Sequence, residues 1–166
     1  LAHMENCPDF IALFAACARM GIVFCPTMFL LSAEELSWIA EHSGATRLVS
    51  TPGLLNKVRL ACPELLSRGR GILAGHVREA GTISLDDLAE DQPETLDDSL
   101  GLEDGDTAAL LYTEGNTGRA KGVLLSHGNI GNNVRAVAAT NRITADETAL
   151  SALPLSHSYG ITTALL

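Results

Sequence analysis

The chain has 166 residues, 46% of them hydrophobic, and a formal net charge of −9. That length suffices for one well-packed domain, and the acidic balance argues against a nucleic-acid partner, which would require a basic patch. No apolar run is long enough to cross a bilayer, and the first residues lack the pattern of a secretory signal, so we expect a soluble, cytoplasmic protein.

Short apolar segments alternate with helical patterns through the first half of the chain. The end of a strand is predicted at residues 1–6, and further strands are predicted at 22–25, 48–50 and 71–74. These segments are apolar on both faces, as is typical of strands in a parallel sheet covered by helices. The cysteines lie in or beside apolar segments and form no C-x-x-C pair, so we expect reduced core thiols at Cys7, Cys17, Cys25 and Cys62.

Three helices are predicted between these strands. The first covers residues 8–20 and the third covers about 51–61. The second begins with a capping box, in which Ser32 is the cap and Glu35 follows three residues later, and it ends at Gly44. The alternation of strands and helices predicts an α/β fold with a mostly parallel sheet covered by helices.

An acidic stretch follows this α/β portion. Half of the 20 acidic residues fall at 86–106, and no Lys or Arg interrupts them. Such an excess of one charge predicts a solvated linker, with one helical turn at 85–89. We therefore expect one incomplete domain in three parts: an α/β portion at 1–84, an acidic linker at 85–106 and a last portion at 107–166.

The last portion contains a glycine-rich stretch at 112–122, with apolar strands predicted on both sides at 108–111 and 123–125. Glycine permits positive φ and close backbone approach, so successive N–H groups can converge on an anion. Lys121 adds a charge that suits phosphate. A Walker A loop is excluded because Ala120 precedes that lysine, and the G-x-G-x-x-G fingerprint is absent. A polar hairpin loop that is merely rich in glycine remains the alternative.

The rest of the chain is predicted as a helix at 126–140, a strand at 148–153 and an apolar tail at 161–166. An exposed apolar end indicates missing parts of a domain or self-association. Four histidines are interpreted as structural and not functional. We expect His3 in a turn, His42 on a helix face, His76 in a loop and His127 at a helix start.

The glycine-rich stretch resembles the signature loop of the acyl-adenylate-forming (AMP-binding) enzymes, T-S-G-T-T-G-x-P-K-G. The positions that match it are Thr113, Gly115, Thr117, Gly118, Lys121 and Gly122. The positions that differ from it are Glu114, Asn116 and Ala120. Other segments resemble the family in the expected order: N-C-P-D-F at 6–10, S-G-A at 43–45, L-S-H-G-N at 125–129 and L-P-L-S-H-S-Y-G at 153–160.

The resemblance implies the N-terminal domain of an ATP-dependent acyl-CoA synthetase, which activates a fatty or aryl acid as acyl-AMP and transfers the acyl group to a thiol, commonly CoA. It implies that the β- and γ-phosphates of ATP are held by Thr113, Gly115, Asn116, Thr117, Gly118 and Lys121. It also implies that His157 lies near the acyl carboxylate and the path of the thiol. Mg²⁺ would accompany ATP, with its ligand residue outside this chain. The expected partners are thus a small carboxylate and a thiol acceptor.

Two further interpretations remain open. Because the domain of that family is longer than this chain, we expect a fragment that is inactive by itself. A non-catalytic nucleotide-binding or assembly chain that keeps the same fold is the alternative. Glu114 motivates it, since a carboxylate beside a triphosphate costs roughly 1–4 kcal/mol at about 4 Å. An unrelated α/β protein with a chance loop is the third interpretation.

Overall fold

The first half of the chain forms a five-stranded sheet in which all neighbouring strands are parallel. Its strands are β1 (Ala2–His3), β2 (Pro26–Thr27), β3 (Leu48–Ser50), β4 (Gly71–Leu73) and β5 (Thr82–Ser84). Their order is β2-β1-β3-β4-β5, so the winding direction reverses between β1 and β3. This computed structural model describes residues 1–67, 69–93, 95, 100–113, 120–141, 146, 148 and 150–162. The predicted α/β fold with a mostly parallel sheet is confirmed.

Helices connect the strands and cover the sheet. They are α1 (Pro8–Arg19), α2 (Ala33–Ser43), α3 (Leu55–Ala61), α4 (Pro63–Ser67), α5 (Leu85–Ala89), α6 (His127–Asn141) and the single turn α7 (Ser158–Gly160). The predicted capping box of α2 is present: the Ser32 hydroxyl accepts from the Glu35 N–H at 3.2 Å, and the Glu35 carboxylate accepts from the Ser32 N–H at 2.8 Å. Gly44 ends this helix with a φ of 64°, as predicted.

An antiparallel hairpin follows the acidic stretch. It pairs β6 (Thr107–Thr113) with β7 (Lys121–Ser126), so the two strands predicted beside the glycine-rich stretch are confirmed. Phe24 joins the hairpin to the region of the parallel sheet. Its N–H donates to the carbonyl of Ala108, and its carbonyl accepts from the N–H of Leu110, both at 2.9 Å.

Two apolar clusters hold these layers together. The helical cluster comprises ten buried residues between Leu36 and Leu73, and it packs α2, α3 and α4 against β3 and β4. The aromatic cluster contains ring pairs that meet edge to face with centroids 5.4 and 5.6 Å apart, Phe10–Phe24 and Phe14–Phe24. It also takes in Leu155 and Ile161 from the other end of the chain. The aromatic cluster therefore brings residues 155–161 onto the first helix.

The prediction of core cysteines is confirmed for two of the four, since Cys7 and Cys17 are only half-buried. All four are free, and Cys25 and Cys62 are buried. Burial raises the pKa of each of these two thiols to about 11. They therefore remain protonated, apolar members of the core.

The strand predicted at residues 22–25 is wrong. Ile22 and Val23 are 48% and 44% exposed, Phe24 makes an isolated bridge to Ala109, and the strand β2 begins at Pro26. Proline fits there because β2 is an edge strand, where a missing N–H leaves no neighbouring strand unpaired.

Other elements also differ from the prediction. His3 lies buried in β1 rather than in a turn. Of the strand predicted at 148–153, residues 148 and 150–153 form no strand, while 149 lies outside the described residues. Both β5 and α4 escaped prediction, because neither segment carries an apolar pattern long enough to recognise. Residues 163–166 of the apolar tail lie outside the described residues.

Candidate functional site

The open end of the β6–β7 hairpin carries two of the predicted phosphate ligands. Thr113 ends β6, Lys121 begins β7, and the two residues pair directly across the hairpin. Directly paired residues of antiparallel strands share one face, with Cβ atoms roughly 5 Å apart, and both residues are exposed. The hairpin therefore presents a hydroxyl and an ammonium group together, which suits a phosphate. The other predicted ligands lie outside the described residues: Gly115, Asn116, Thr117 and Gly118.

Aromatic side chains hold this end of the hairpin against α2. The Tyr112 hydroxyl lies 2.7 Å from Nδ1 of His42, and the Trp38 ring stacks on His42 with centroids 4.7 Å apart. Burial raises the pKa of Tyr112, so the phenol stays protonated and can donate to His42. The predicted position of His42 on a helix face is confirmed. Its contact with a residue 70 positions away left no signal in the sequence.

Gly122 fits this arrangement because it is small. It pairs with Tyr112 across the hairpin. A Cβ atom at Gly122 would lie 3.1 Å from the side chain of Leu110 and 3.6 Å from the Tyr112 ring. A larger residue would therefore push against the ring that anchors the hairpin.

His157 caps the helical turn α7 and is exposed. Its Nδ1 accepts a hydrogen bond from the N–H of Tyr159 at 3.1 Å. In the neutral ring the proton is then on Nε2, which leaves that atom as a donor facing outward. The main chain of the turn is closed by two further bonds, from the His157 N–H to the Pro154 carbonyl at 3.0 Å and from the Ile161 N–H to the His157 carbonyl at 2.9 Å.

Contacts on three sides fix the segment that carries His157. Leu155 and Ile161 are both 5% exposed and belong to the aromatic cluster. The hydroxyl of Ser156 lies 3.5 Å from Sδ of Met28, just after β2. The side chain of Asn6, just after β1, bonds to the main chain on both sides of Pro154. Sequence reasoning placed Asn6 only at the start of the first helix and in the N-C-P-D-F match, because its partners lie 147 and 149 positions away.

The buried His3 belongs to the sheet, not to this site. Its Nδ1 lies 3.0 Å from the hydroxyl of Thr27, which itself donates to the Ala2 carbonyl at 3.3 Å, so Nδ1 carries the proton. Burial, with a smaller contribution from the charge on Lys57, lowers the pKa of His3 to about 4. His3 is therefore neutral at physiological pH. Its Nε2 is buried without a partner among the described residues.

A small cavity of about 130 Å³ lies between α1, the hairpin, α6 and α7. Its walls include Phe14, Leu111, Leu125 and Ile161, with Ser158 at the turn that follows His157. This mainly apolar cavity, with Asn129 and Asn133 also in its wall, is slightly smaller than a benzene-binding cavity of roughly 150 Å³, so it admits a group no larger than one aromatic ring.

Neither a membrane-spanning helix nor a cluster of metal ligands is present among the described residues. No helix in that part of the chain is long and apolar enough to cross a membrane. Nor do three or more His, Cys, Asp or Glu side chains gather there as a metal site would require. The described residues thus offer no carboxylate cluster for the predicted Mg²⁺ ion.

Known proteins resemble this chain in sequence along its whole length. The sequence model of the family described as AMP-binding enzyme matches residues 1–166. The chain is 36% identical over 157 residues to a feruloyl-CoA synthase of Amycolatopsis sp., and the aligned region covers 94% of this chain and 28% of that protein. It is 33% identical over 131 residues to a crotonobetaine/carnitine–CoA ligase of Escherichia coli, and the aligned region covers 77% of this chain and 25% of that protein.

A solved structure also shares the fold. The crystal structure of ATP-bound MatB from Rhodopseudomonas palustris superimposes with a TM-score of 0.78 and 25% identity, over 99% of this chain and 31% of that one. The chain therefore spans about a quarter to a third of the length of these relatives.

Proposed function

Because this chain belongs to the AMP-binding enzyme family, we propose that the protein carrying it is an ATP-dependent acid–thiol ligase. It activates a carboxylic acid as an acyl-adenylate and transfers the acyl group to a thiol such as CoA. The chain spans 28% of the feruloyl-CoA synthase it resembles, so we assign this activity to a protein of that length. The 166 residues alone we expect to be inactive.

The pairing of Thr113 with Lys121 carries this proposal. It sets a hydroxyl and an ammonium group on either side of the glycine-rich loop, on one face of a hairpin that α2 holds in place. Two strands fixed in this way hold Thr113 and Lys121 at a set separation, so less ordering of these two residues is required when an anion binds. We propose that the loop completes the phosphate site with Gly115, Asn116, Thr117 and Gly118.

The proposed reaction has two steps. A carboxylate oxygen attacks the α-phosphorus of ATP, the bond to the bridging oxygen of the β-phosphate breaks, and pyrophosphate leaves. The thiol then attacks the acyl carbon, and AMP leaves. Negative charge builds on the departing pyrophosphate in the first step, and Lys121 would stabilise it at the β- and γ-phosphates. Positioning and charge neutralisation are the protein's main contributions.

Mg²⁺ would neutralise phosphate charge in the same step. Such an ion is commonly held by the phosphates themselves and by one or two carboxylates. The described residues show no carboxylate cluster for it, so we assign none of them to the ion.

We propose that His157 acts at the acyl carboxylate. With Nδ1 occupied by the N–H of Tyr159, its Nε2–H is free to donate toward a carboxylate or carbonyl oxygen. The cavity beside Ser158 and Ile161 would accept an apolar part of the acid. Its lining supports an aryl or fatty acid over a wholly polar one.

Carboxylate-dependent exchange of pyrophosphate into ATP by the complete gene product tests this function. Lys121→Met removes the charge but keeps much of the chain length, and we expect it to slow exchange by about 100-fold, as does the loss of one such stabilising group. Lys121→Arg should retain part of the activity, because the charge remains.

A matched control separates the phosphate site from general charge effects. Arg47→Met also removes one exposed positive charge, and within the described part of the chain its guanidinium bonds only to the carbonyl of the preceding residue. We expect no change in exchange. Equal losses in Lys121→Met and Arg47→Met would contradict the assignment of Lys121. ATP binding without exchange for any carboxylate would favour the non-catalytic alternative.

A further inference from the structure

The side chain of Asn6 makes a two-point contact with the segment that leads to His157. Its Nδ2 donates to the carbonyl of Leu153, and its Oδ1 accepts from the N–H of Leu155, both at 2.8 Å. A carbonyl can only accept and an N–H can only donate, so the partners fix the orientation of the amide. Pro154, which lies between them, has no N–H of its own. One side chain thus binds the main chain on both sides of this proline.

The contact lies at the carboxyl edge of the parallel sheet. Asn6 lies three residues after the end of β1, beside the reversal of strand order between β1 and β3, and ligands of open α/β sheets bind at that edge. The turn after β1 is itself tied to the end of β3, since the Thr51 hydroxyl donates to the Glu5 carboxylate at 3.0 Å. The main chain that carries Asn6 is therefore fixed relative to the sheet.

From this contact, hydrogen bonds lead to the imidazole ring. The carbonyl of Pro154, held between the two bonds of Asn6, accepts from the N–H of His157. His157 caps α7, and the N–H of Tyr159 in that turn bonds to Nδ1 of the ring. Gly160 packs so closely on the Pro154 carbonyl that no Cβ would fit between them. A shift of Pro154 would therefore move the main chain of His157 and, with it, the imidazole ring.

Apolar packing alone does not set this position. Leu155 and Ile161 bury their side chains in the aromatic cluster, but apolar contacts are non-directional. These contacts keep the segment buried, but they do not determine its position along the edge of the sheet, which we call its register. Two hydrogen bonds of opposite sense, on either side of one residue, do specify that register.

We propose that Asn6 is a positioning residue for His157, which sets the register of the 153–157 segment and so the orientation of the imidazole at the acyl carboxylate. The inference rests on the proposed function only for the role of His157. The contact itself is a property of this fold and can be measured without activity.

The test uses three variants of the complete gene product. Asn6→Ala removes both hydrogen bonds. Asn6→Asp keeps the shape of the side chain and its acceptor oxygen, but it sets a second oxygen against the Leu153 carbonyl. Asn56→Ala is the control, because it removes an exposed amide from α3. We expect kcat for acyl-CoA formation to fall roughly 10- to 100-fold in the two Asn6 variants, as for a misplacement of about 1 Å. The KM for ATP should stay within about twofold, because Thr113 and Lys121 are untouched.

A double-mutant cycle distinguishes positioning from a general structural role. In a His157→Ala background, Asn6→Ala should change kcat by less than about twofold, because its target is already gone. The full loss in that background, or unchanged kcat in both Asn6 variants, would overturn the proposal. If Asn6→Ala fails to fold, the effect of Asn6→Asp on kcat, with and without His157→Ala, tests the proposal instead.

A readout without turnover completes the test. The rate at which diethylpyrocarbonate modifies His157, read by mass spectrometry, should change in Asn6→Ala relative to the rates at His42 and His76. An unchanged rate would overturn the proposal even if the protein is a ligase. A changed rate in a protein without exchange activity would support the contact and refute the proposed function separately.

Discussion

Gly160→Ala tests the packing of the turn that carries His157. Gly160 is buried, and a Cβ atom there would overlap the Pro154 carbonyl oxygen and lie 2.9 Å from its carbon. Both atoms are main chain, so no side-chain rotation relieves the overlap. The turn must open, which stretches the 3.0 Å bond between His157 and Pro154 and draws Leu155 outward.

The cost follows from that geometry. Forcing one methyl group into packed surroundings costs about 1–3 kcal/mol, and each kcal/mol lowers the Tm of a chain of this size by about 2–4 °C. We expect this loss in urea unfolding of the protein, together with a lower kcat because His157 moves. Gly105→Ala is the control, since a Cβ there meets nothing within 4 Å. Equal stability and equal kcat in the two variants would refute the packing argument.

Two further predictions concern the environments of His3 and His42. The folded-state pKa of His3 is about 4 against an ordinary 6.5, so the unfolded chain binds more protons between these values. We therefore expect the contribution of His3 to the free energy of unfolding to be fully present above pH 6.5 and to fall by about 3 kcal/mol as the pH drops to about 4. His3→Gln should flatten this part of the pH dependence, measured by urea unfolding at a series of pH values. An unchanged slope would argue against the lowered pKa of His3. Tyr112→Phe keeps the ring but removes the 2.7 Å bond to His42, and it should lower the free energy of unfolding by about 1 kcal/mol. Fluorescence of Trp38, the only tryptophan, follows that transition, and a value equal to the parent's would show that the bond contributes nothing.

Local chemistry explains which elements could be predicted. The capping box at Ser32 and the stop at Gly44 bound α2 correctly, because both signals act within one turn of the helix. The strands around the glycine-rich stretch were likewise visible as apolar runs. β2 was misplaced, because whether Pro26 can join a sheet depends on its being an edge strand, which is a property of the whole sheet.

The candidate site was less accessible to prediction. The resemblance pointed to Thr113, Lys121 and His157, and the hairpin register supplies the pairing of the first two. The groups that hold them were not foreseen. His42 reaches Tyr112 across 70 residues, and Asn6 reaches Leu155 across 149. Contacts at such separations depend on topology, so neither periodicity nor capping patterns can indicate them.

The two apolar clusters also differ in when they can be completed during synthesis. The buried residues of the helical cluster lie at 36–73, with Leu1 and Ala33 packed against them, so this cluster can close while the remainder of the chain is still being made. The aromatic cluster needs Ile161 as well as Phe10, and Asn6 is made 149 residues before Leu155. At about 5–20 residues per second, that interval is roughly 7–30 seconds. Until it has passed, the first helix has part of its apolar face uncovered, and the turn of His157 is the last of these contacts to form.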